Sequence, residues 1–278
     1  MPIAVFATVL FAAALHAAWN AIVKGADDKL LTTVLVAAGG VLIAVTALPF
    51  LPQPALASWP FIAGSTGFQA VYLVLVARTY RHADMSQAYP LMRGTAPLLV
   101  ALASGLFLGA PLSAGGWLGV GVICAGILAL AVGGLRGGGR AGVVAALLNA
   151  VVIASYTLID GAGVRRSGSP AAYVLWLNLF SGAPLVVWAL IARRRALATY
   201  ARRHWAAGLA GAVGTTASYG LALWAMTQAP VPVVAALRET SIVFGVAISG
   251  LLLRERVGPE RIMAACAIAA GAAILRLA

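Results

Sequence analysis

Charge is what this 278-residue chain has least of. Only 9% of its residues are Asp, Glu, Lys or Arg, against roughly 25% in an ordinary soluble domain. With 62% hydrophobic residues and a mean hydropathy of +0.98, too little polar surface is left for water to solvate, so lipid must cover most of the molecule. Acidic residues are scarcer still, seven against nineteen Lys and Arg. In a soluble chain a net charge of +12 would point to nucleic acid. Here the basic residues sit in short clusters between apolar runs, where the positive-inside rule already accounts for them, and nucleic acid is not an expected partner. No polar stretch is long enough for a soluble domain. The two cysteines, Cys124 and Cys266, fall inside apolar runs and suit small core residues better than a disulfide or a metal site. The three histidines, His16, His82 and His204, lie in different runs. There is no Gly-rich phosphate loop closing on Lys and Ser or Thr, no His/Glu pair at metal-ligand spacing, and no strand-turn-helix serine motif. These absences argue against an ATP-driven pump and against an intramembrane enzyme, and no cofactor is expected.

What is there is a series of apolar runs. A helix needs about 20 apolar residues to cross the hydrocarbon core. Spans are expected near 3–23, 30–50, 60–79, 85–108, 112–133, 141–160, 171–191, 205–227, 231–252 and 258–276. The first lacks the basic flank of a signal peptide and is expected to be retained. Barrel strands would show short alternating segments instead of such runs. The fold class is therefore an all-α polytopic membrane protein with ten transmembrane helices. Fourteen of the nineteen Lys and Arg fall on alternate connections and three on the opposite side, which places both termini outside, in the periplasm of a bacterium. The remaining two, Arg93 and Arg238, lie inside spans.

The halves echo each other. Leu91-Met-Arg-Gly-Thr-Ala96 aligns with Ala236-Leu-Arg-Glu-Thr-Ser241, and at the same offset Gly105-Leu-Phe-Leu108 meets Gly250-Leu-Leu-Leu253. Trp19-Asn20 meets Tyr156-Thr157 at a slightly shorter offset. This divides the chain into repeats at 1–137 and 138–278. Five spans per half is an odd number, so the halves should run through the membrane in opposite directions, an arrangement that favours alternating access around a midplane site.

Three stretches, His16-Ala-Ala-Trp-Asn-Ala-Ile-Val-Lys24, Tyr89-Pro-Leu-Met-Arg-Gly-Thr-Ala-Pro97 and Leu237-Arg-Glu-Thr-Ser-Ile-Val-Phe244, with Leu253-Arg-Glu255 after the last, carry a resemblance. On them the chain resembles the EamA family of the drug/metabolite transporter superfamily, which includes bacterial amino-acid exporters. The resemblance runs over essentially the whole chain. It implies ten helices in two inverted five-helix repeats. It also implies a central cavity lined by the first, third and fourth helices of each half, with the fifth helices peripheral. The family commonly carries Glu after the fourth span of each half. Glu255 fits, but Ala110 stands at the other position, so that Glu is no symmetric element here. On orientation the resemblance implies cytoplasmic termini, against the charge count.

Arg93 lies about two turns into its span, where an arginine facing lipid would cost several kcal/mol, so it should face the bundle interior. It is a candidate clamp for a substrate carboxylate, or a structural arginine satisfied by backbone carbonyls freed at Pro90 and Pro97. Arg238 and Glu239 are adjacent and diverge by about 100°, so they should not pair directly with each other. Glu239 is either a proton-responsive or ammonium-binding carboxylate, or the partner of Arg93 in a fixed ion pair. His16 and Asn20 share a helix face, with Trp19 beside them. Gln69, Tyr72, Tyr89, Tyr156, Thr157, Ser218 and Tyr219 are the further substrate-binding candidates, aromatic rings being able to cradle an ammonium group. Tyr80 and Trp224 read as packing or interfacial residues, and Asp160 as a solvated end residue of the sixth span. Gly115 and Gly119 form a small-xxx-small pattern that allows a homodimer, although a monomer suffices. The expected function is a secondary transporter exporting amino acids or related small metabolites across a bacterial inner membrane. A carrier of phosphate-bearing or lipid-linked cargo is the first rival and a passive channel the second. Pro230 and Pro232, like Pro90 and Pro97, are expected to break or hinge their spans.

Overall fold

A computed structural model describes residues 1–82, 85–107, 109, 111–132, 140–251 and 257–278, except the side chains of 77, 80–82, 85, 86, 107 and 132. Helices occupy the apolar runs: α1 Ile3–Lys24, α2 Lys29–Ala47, α3 Trp59–His82, α4 Met85–Phe107, α5 Ala114–Val132, α6 Arg140–Ser167, α7 Pro170–Ala192, α8 Arg194–Gln228, α9 Val231–Arg238, α10 Ser241–Leu251 and α11 Pro259–Leu277. No strand occurs among the described residues. This is what lipid demands, because an α-helix satisfies its backbone polar groups within one segment. Among the described residues seven segments are long and apolar enough to cross a membrane, and α9 and α10 together form one of them. Of the other long helices, α4 carries Arg93, α8 starts in a basic cluster and α11 carries Glu260, Arg261 and Arg276. With these the chain is a multi-pass, all-helical membrane protein of ten helical spans among the described residues.

Helix ends follow local chemistry. Asp28 caps α2 by accepting a hydrogen bond from the Leu31 N–H at 2.9 Å. Gly168 turns the chain between α6 and α7 at φ 67°, a conformation that only glycine adopts without strain.

Three expectations need correction. The sixth helix does not stop at 160. Ala, Gly and Val continue its apolar pattern, and it runs to Ser167. The eighth starts at Arg194, eleven residues earlier than expected, because Arg-Ala-Leu-rich sequence without Gly or Pro is itself a good helix former. Third, α4 runs unbroken through Pro90 and Pro97, while Pro230 and Pro232 stand at the start of α9, where a missing N–H costs little. The break in the ninth span falls instead at Glu239 and Thr240. There the ladder tightens to i→i−3 bonds, Glu239 to Ala236, Thr240 to Leu237, Ile242 to Glu239 and Val243 to Thr240, at 2.9–3.0 Å.

The bundle is threaded by pairings between its halves. α1 packs on α8 and α10, α3 and α4 on α6, α2 on α7 and α8, and α5 on α11. Small residues set the closest approaches. A Cβ on Gly119 of α5 would lie 2.6 Å from Leu275 of α11, and one on Gly115 would lie 2.8 Å from Ala278. The Gly115/Gly119 pattern is thus occupied within the monomer. Cys124 is buried, but Cys266 is exposed on the outside of α11, so only the first is the core residue expected of both. At the centre lies α9, with Val231 to Leu237 buried without exception, as for a helix that is apolar all round.

Candidate functional site

The polar residues of α1, α3, α4, α6, α8 and α9 converge where α9 ends. Arg93 of α4 donates from Nε to Glu239 Oε2 at 2.9 Å, with the two side chains 15% and 6% exposed. This is the ion pair weighed above for Glu239, and it joins the two halves of the chain. The pair is not closed on itself. Among the described residues, Arg93 Nη1 and Nη2 donate to no acceptor and Glu239 Oε1 accepts from no donor, which leaves a donor edge beside an acceptor. Tyr72, Tyr89 and Tyr156 all lie within electrostatic reach of Arg93. Tyr72 and Tyr156 meet edge to face at 6.2 Å. His16 is within reach of both Arg93 and Arg238. Trp19 donates to His16 Nδ1 at 3.4 Å and stands against it in a T-shape at 5.4 Å.

Arg238, half-buried, lies with its guanidinium 5.1 Å from the centre of the Tyr219 ring. It makes no hydrogen bond to a described acceptor. A guanidinium inside a span that no described acceptor satisfies is chemically able to pair with an anion.

Other sequence candidates take up local roles. Asn20 is exposed and donates to the His16 carbonyl at 2.7 Å. Gln69 donates to Ser65 Oγ at 3.0 Å, Thr157 to the Ile153 carbonyl at 2.7 Å, and Ser218 to the Ala12 carbonyl at 2.8 Å, which staples α8 to α1. The Tyr80 side chain, and Ala110 and Glu255 entire, lie outside the described residues.

Asp160 is the main departure from the sequence reading. It is 0% exposed rather than a solvated end residue. Its Oδ1 accepts from the Tyr173 hydroxyl at 3.1 Å and its Oδ2 from the Tyr219 hydroxyl, and the Ser65 hydroxyl lies beside it. The legible signal was the apolar Gly161-Ala-Gly-Val164 that follows it. Two buried amides also went unnoticed. Asn149 donates to Met92 Sδ at 2.9 Å, and among the described residues its Oδ1 and the Nε2 of Gln87 find no partner. The described residues hold no cluster of metal-ligating side chains.

Comparison with known proteins agrees with this architecture. Residues 140–277 match the model of the EamA-like transporter family. Over 75 residues the chain is 32% identical to the uncharacterized protein y4nH of Sinorhizobium fredii (strain NBRC 101917 / NGR234), an alignment covering 27% of this chain and 64% of that protein. The chain thus spans less than two thirds of the length of the curated relative it matches. A solved structure described as "Crystal structure of protein" shares the fold, with a TM-score of 0.73 at 20% identity, over 98% of this chain and 95% of the other.

Proposed function

We propose that the whole chain is a secondary carrier of the EamA type that exports amino acids or closely related metabolites across the cytoplasmic membrane of a bacterium by alternating access. The observation that carries this reading is the open edge of the Arg93–Glu239 pair. Nη1 and Nη2 of Arg93 and Oε1 of Glu239, without partners among the described residues, match the carboxylate and ammonium of a zwitterion set side by side. Arg238 supplies a second guanidinium, and Tyr72, Tyr89, Tyr156 and Trp19 supply aromatic surface for an apolar side chain or an ammonium group. Support for a repeat architecture comes from the packing. Exchanging the halves turns α1 on α8 into α6 on α3, and leaves α2 on α7 and α5 on α11 unchanged, as a two-fold relation requires. The 3₁₀ junction at Glu239 and Thr240 supplies a place for the ninth span to bend beside the site.

The test is counterflow. Proteoliposomes preloaded with an unlabelled amino acid should take up the labelled one saturably, and Arg93→Ala should abolish that uptake. Saturation and stimulation from the far side separate a carrier from a channel. One observation favours a second reading, the guanidinium of Arg238 without a described acceptor, which also suits a phosphate-bearing cargo. Inhibition of counterflow by phosphonates and not by amino acids would select it.

A further inference from the structure

Among the described residues two carboxylates are buried in the spans, and their surroundings differ in kind. Glu239 faces a guanidinium at 2.9 Å. Asp160 is hydrogen-bonded by hydroxyls, Tyr173 from α7 and Tyr219 from α8, with Ser65 of α3 beside it. The titratable and charged groups that act on it are Tyr173 of α7, Tyr219 of α8 and Arg238 of α9, with Tyr156 of its own helix. Arg93 is held by Glu239, and Arg238 stands off behind the Tyr219 ring. Among the described residues Asp160 therefore has no ion-pair partner.

We propose that Asp160 is a proton-binding site of the carrier, and that its charge is sensed by Arg238 through Tyr219. Three features carry this. First, an ionised carboxylate without a counter-ion inside a bundle is costly, and such groups in spans mark proton relays. Second, a hydroxyl both donates and accepts. The same cage can donate to the ionised carboxylate and, by rotation of one hydroxyl, accept from the protonated acid, so neither state leaves an orphan. Third, Tyr173 is sealed at 0% exposure while Tyr219 is only half-buried, so the Tyr219 side is where water can deliver the proton. The proton taken up by an Asp160 oxygen comes from that water and returns to it. Each change of the Asp160 charge alters the field at Arg238, one of the two guanidinium groups offered above to a substrate anion. The functional half of this inference rests on the carrier reading, but the proton site itself does not.

The experiment is an infrared pH titration of the full chain in lipid, with protons as the probe. Apart from the band of exposed carboxyls such as Asp27 and Glu260, wild type and Glu239→Gln should both show a second protonated-carboxyl carbonyl band, from a buried acid, that appears and disappears with pH. Asp160→Asn should lack it, and Tyr219→Phe, which removes one donor, should move its midpoint and frequency. A second band that survives in Asp160→Asn, or no second titrating carboxyl band over the range in which circular dichroism is constant, overturns the proposal. If Asp160→Asn does not fold, the Tyr219→Phe midpoint decides alone, and an unmoved midpoint overturns it. In proteoliposomes containing a labelled amino acid, wild-type flux should respond to an imposed pH gradient and Asp160→Asn flux should not, whereas an equal response in both sinks the coupling. Absence of any wild-type counterflow would count against the carrier reading and leave the infrared result standing.

Discussion

Leu91-Met-Arg-Gly-Thr-Ala96 lies in the unbroken α4, whereas Ala236-Leu-Arg-Glu-Thr-Ser241 spans the junction between α9 and α10. The two stretches share Arg and Thr at the same spacing, yet the one with two prolines inside its helix stays continuous and the other does not. The residue after the arginine separates them. Gly94 lets α4 lie hard against α5, since a Cβ there would meet Leu128 Cγ at 2.8 Å and the Cys124 carbonyl at 3.3 Å. Glu239 stands in that place in the second half. Its carboxylate reaches across to Arg93, the ladder shortens to i→i−3 around it, and the Thr240 hydroxyl takes the Leu237 carbonyl at 2.7 Å. A repeated motif thus does two jobs. In the first half it is a packing surface bearing a cation, and in the second it is a bend bearing a carboxylate.

The comparison breaks most completely when the ion pair is cut. Arg93→Ala leaves Glu239 buried without its cation and should destabilise the protein by about 3–5 kcal/mol, seen as a lower unfolding temperature in micelles. The double change Arg93→Met with Glu239→Met should recover most of that stability but no counterflow. Recovery of transport would remove the pair from the substrate site.

A second change removes the small residue that sets the first half apart. Gly94→Leu places side-chain atoms where Leu128 and the Cys124 carbonyl already are. Overpacking of this kind should cost about 1–3 kcal/mol in thermal unfolding without breaking the ion pair.

Smaller effects sharpen the contrast. Tyr219→Leu removes the ring beneath Arg238, and the lost cation–π contact should cost about 0.5–2 kcal/mol together with one donor to Asp160. Smallest of all, Thr240→Ala deletes the hydroxyl bond at the junction. It should cost about 0.5–1.5 kcal/mol and speed hydrogen exchange at 241–244, with exchange in α4 unchanged as the internal control.

Much of the helical framework was legible because its cause is local. The run expected at 3–23 is α1, Ile3–Lys24, and the run at 85–108 is α4, Met85–Phe107, within a residue or two at each end. Legibility failed where helices continue beyond their apolar cores. α6 passes Asp160 to reach Arg165, which donates to the Met226 and Ala229 carbonyls at 2.7 and 2.8 Å and so caps the end of α8. Nothing in the periodicity of 160–167 announces that partner, 61 residues away in the chain. The same holds at the polar centre. Arg93, Arg238, Glu239, Tyr72, Tyr156 and Tyr219 stood out as polar or aromatic residues within apolar runs, but Asp160, set beside a run's expected end, was assigned to solvent.

Composition by itself determined that this chain is a multi-pass bundle of helices. Lipid offers the backbone no hydrogen bonds, so each apolar run of sufficient length must satisfy its own, and that is decided residue by residue along the chain. Only the tertiary structure decided which of two repeated arginines meets Glu239, that the ninth span bends at Glu239 rather than at a proline, and that Asp160 is enclosed by hydroxyls from three other helices. Those outcomes depend on which helix faces meet and how closely small residues let them approach, and a one-dimensional pattern of hydropathy does not carry that information.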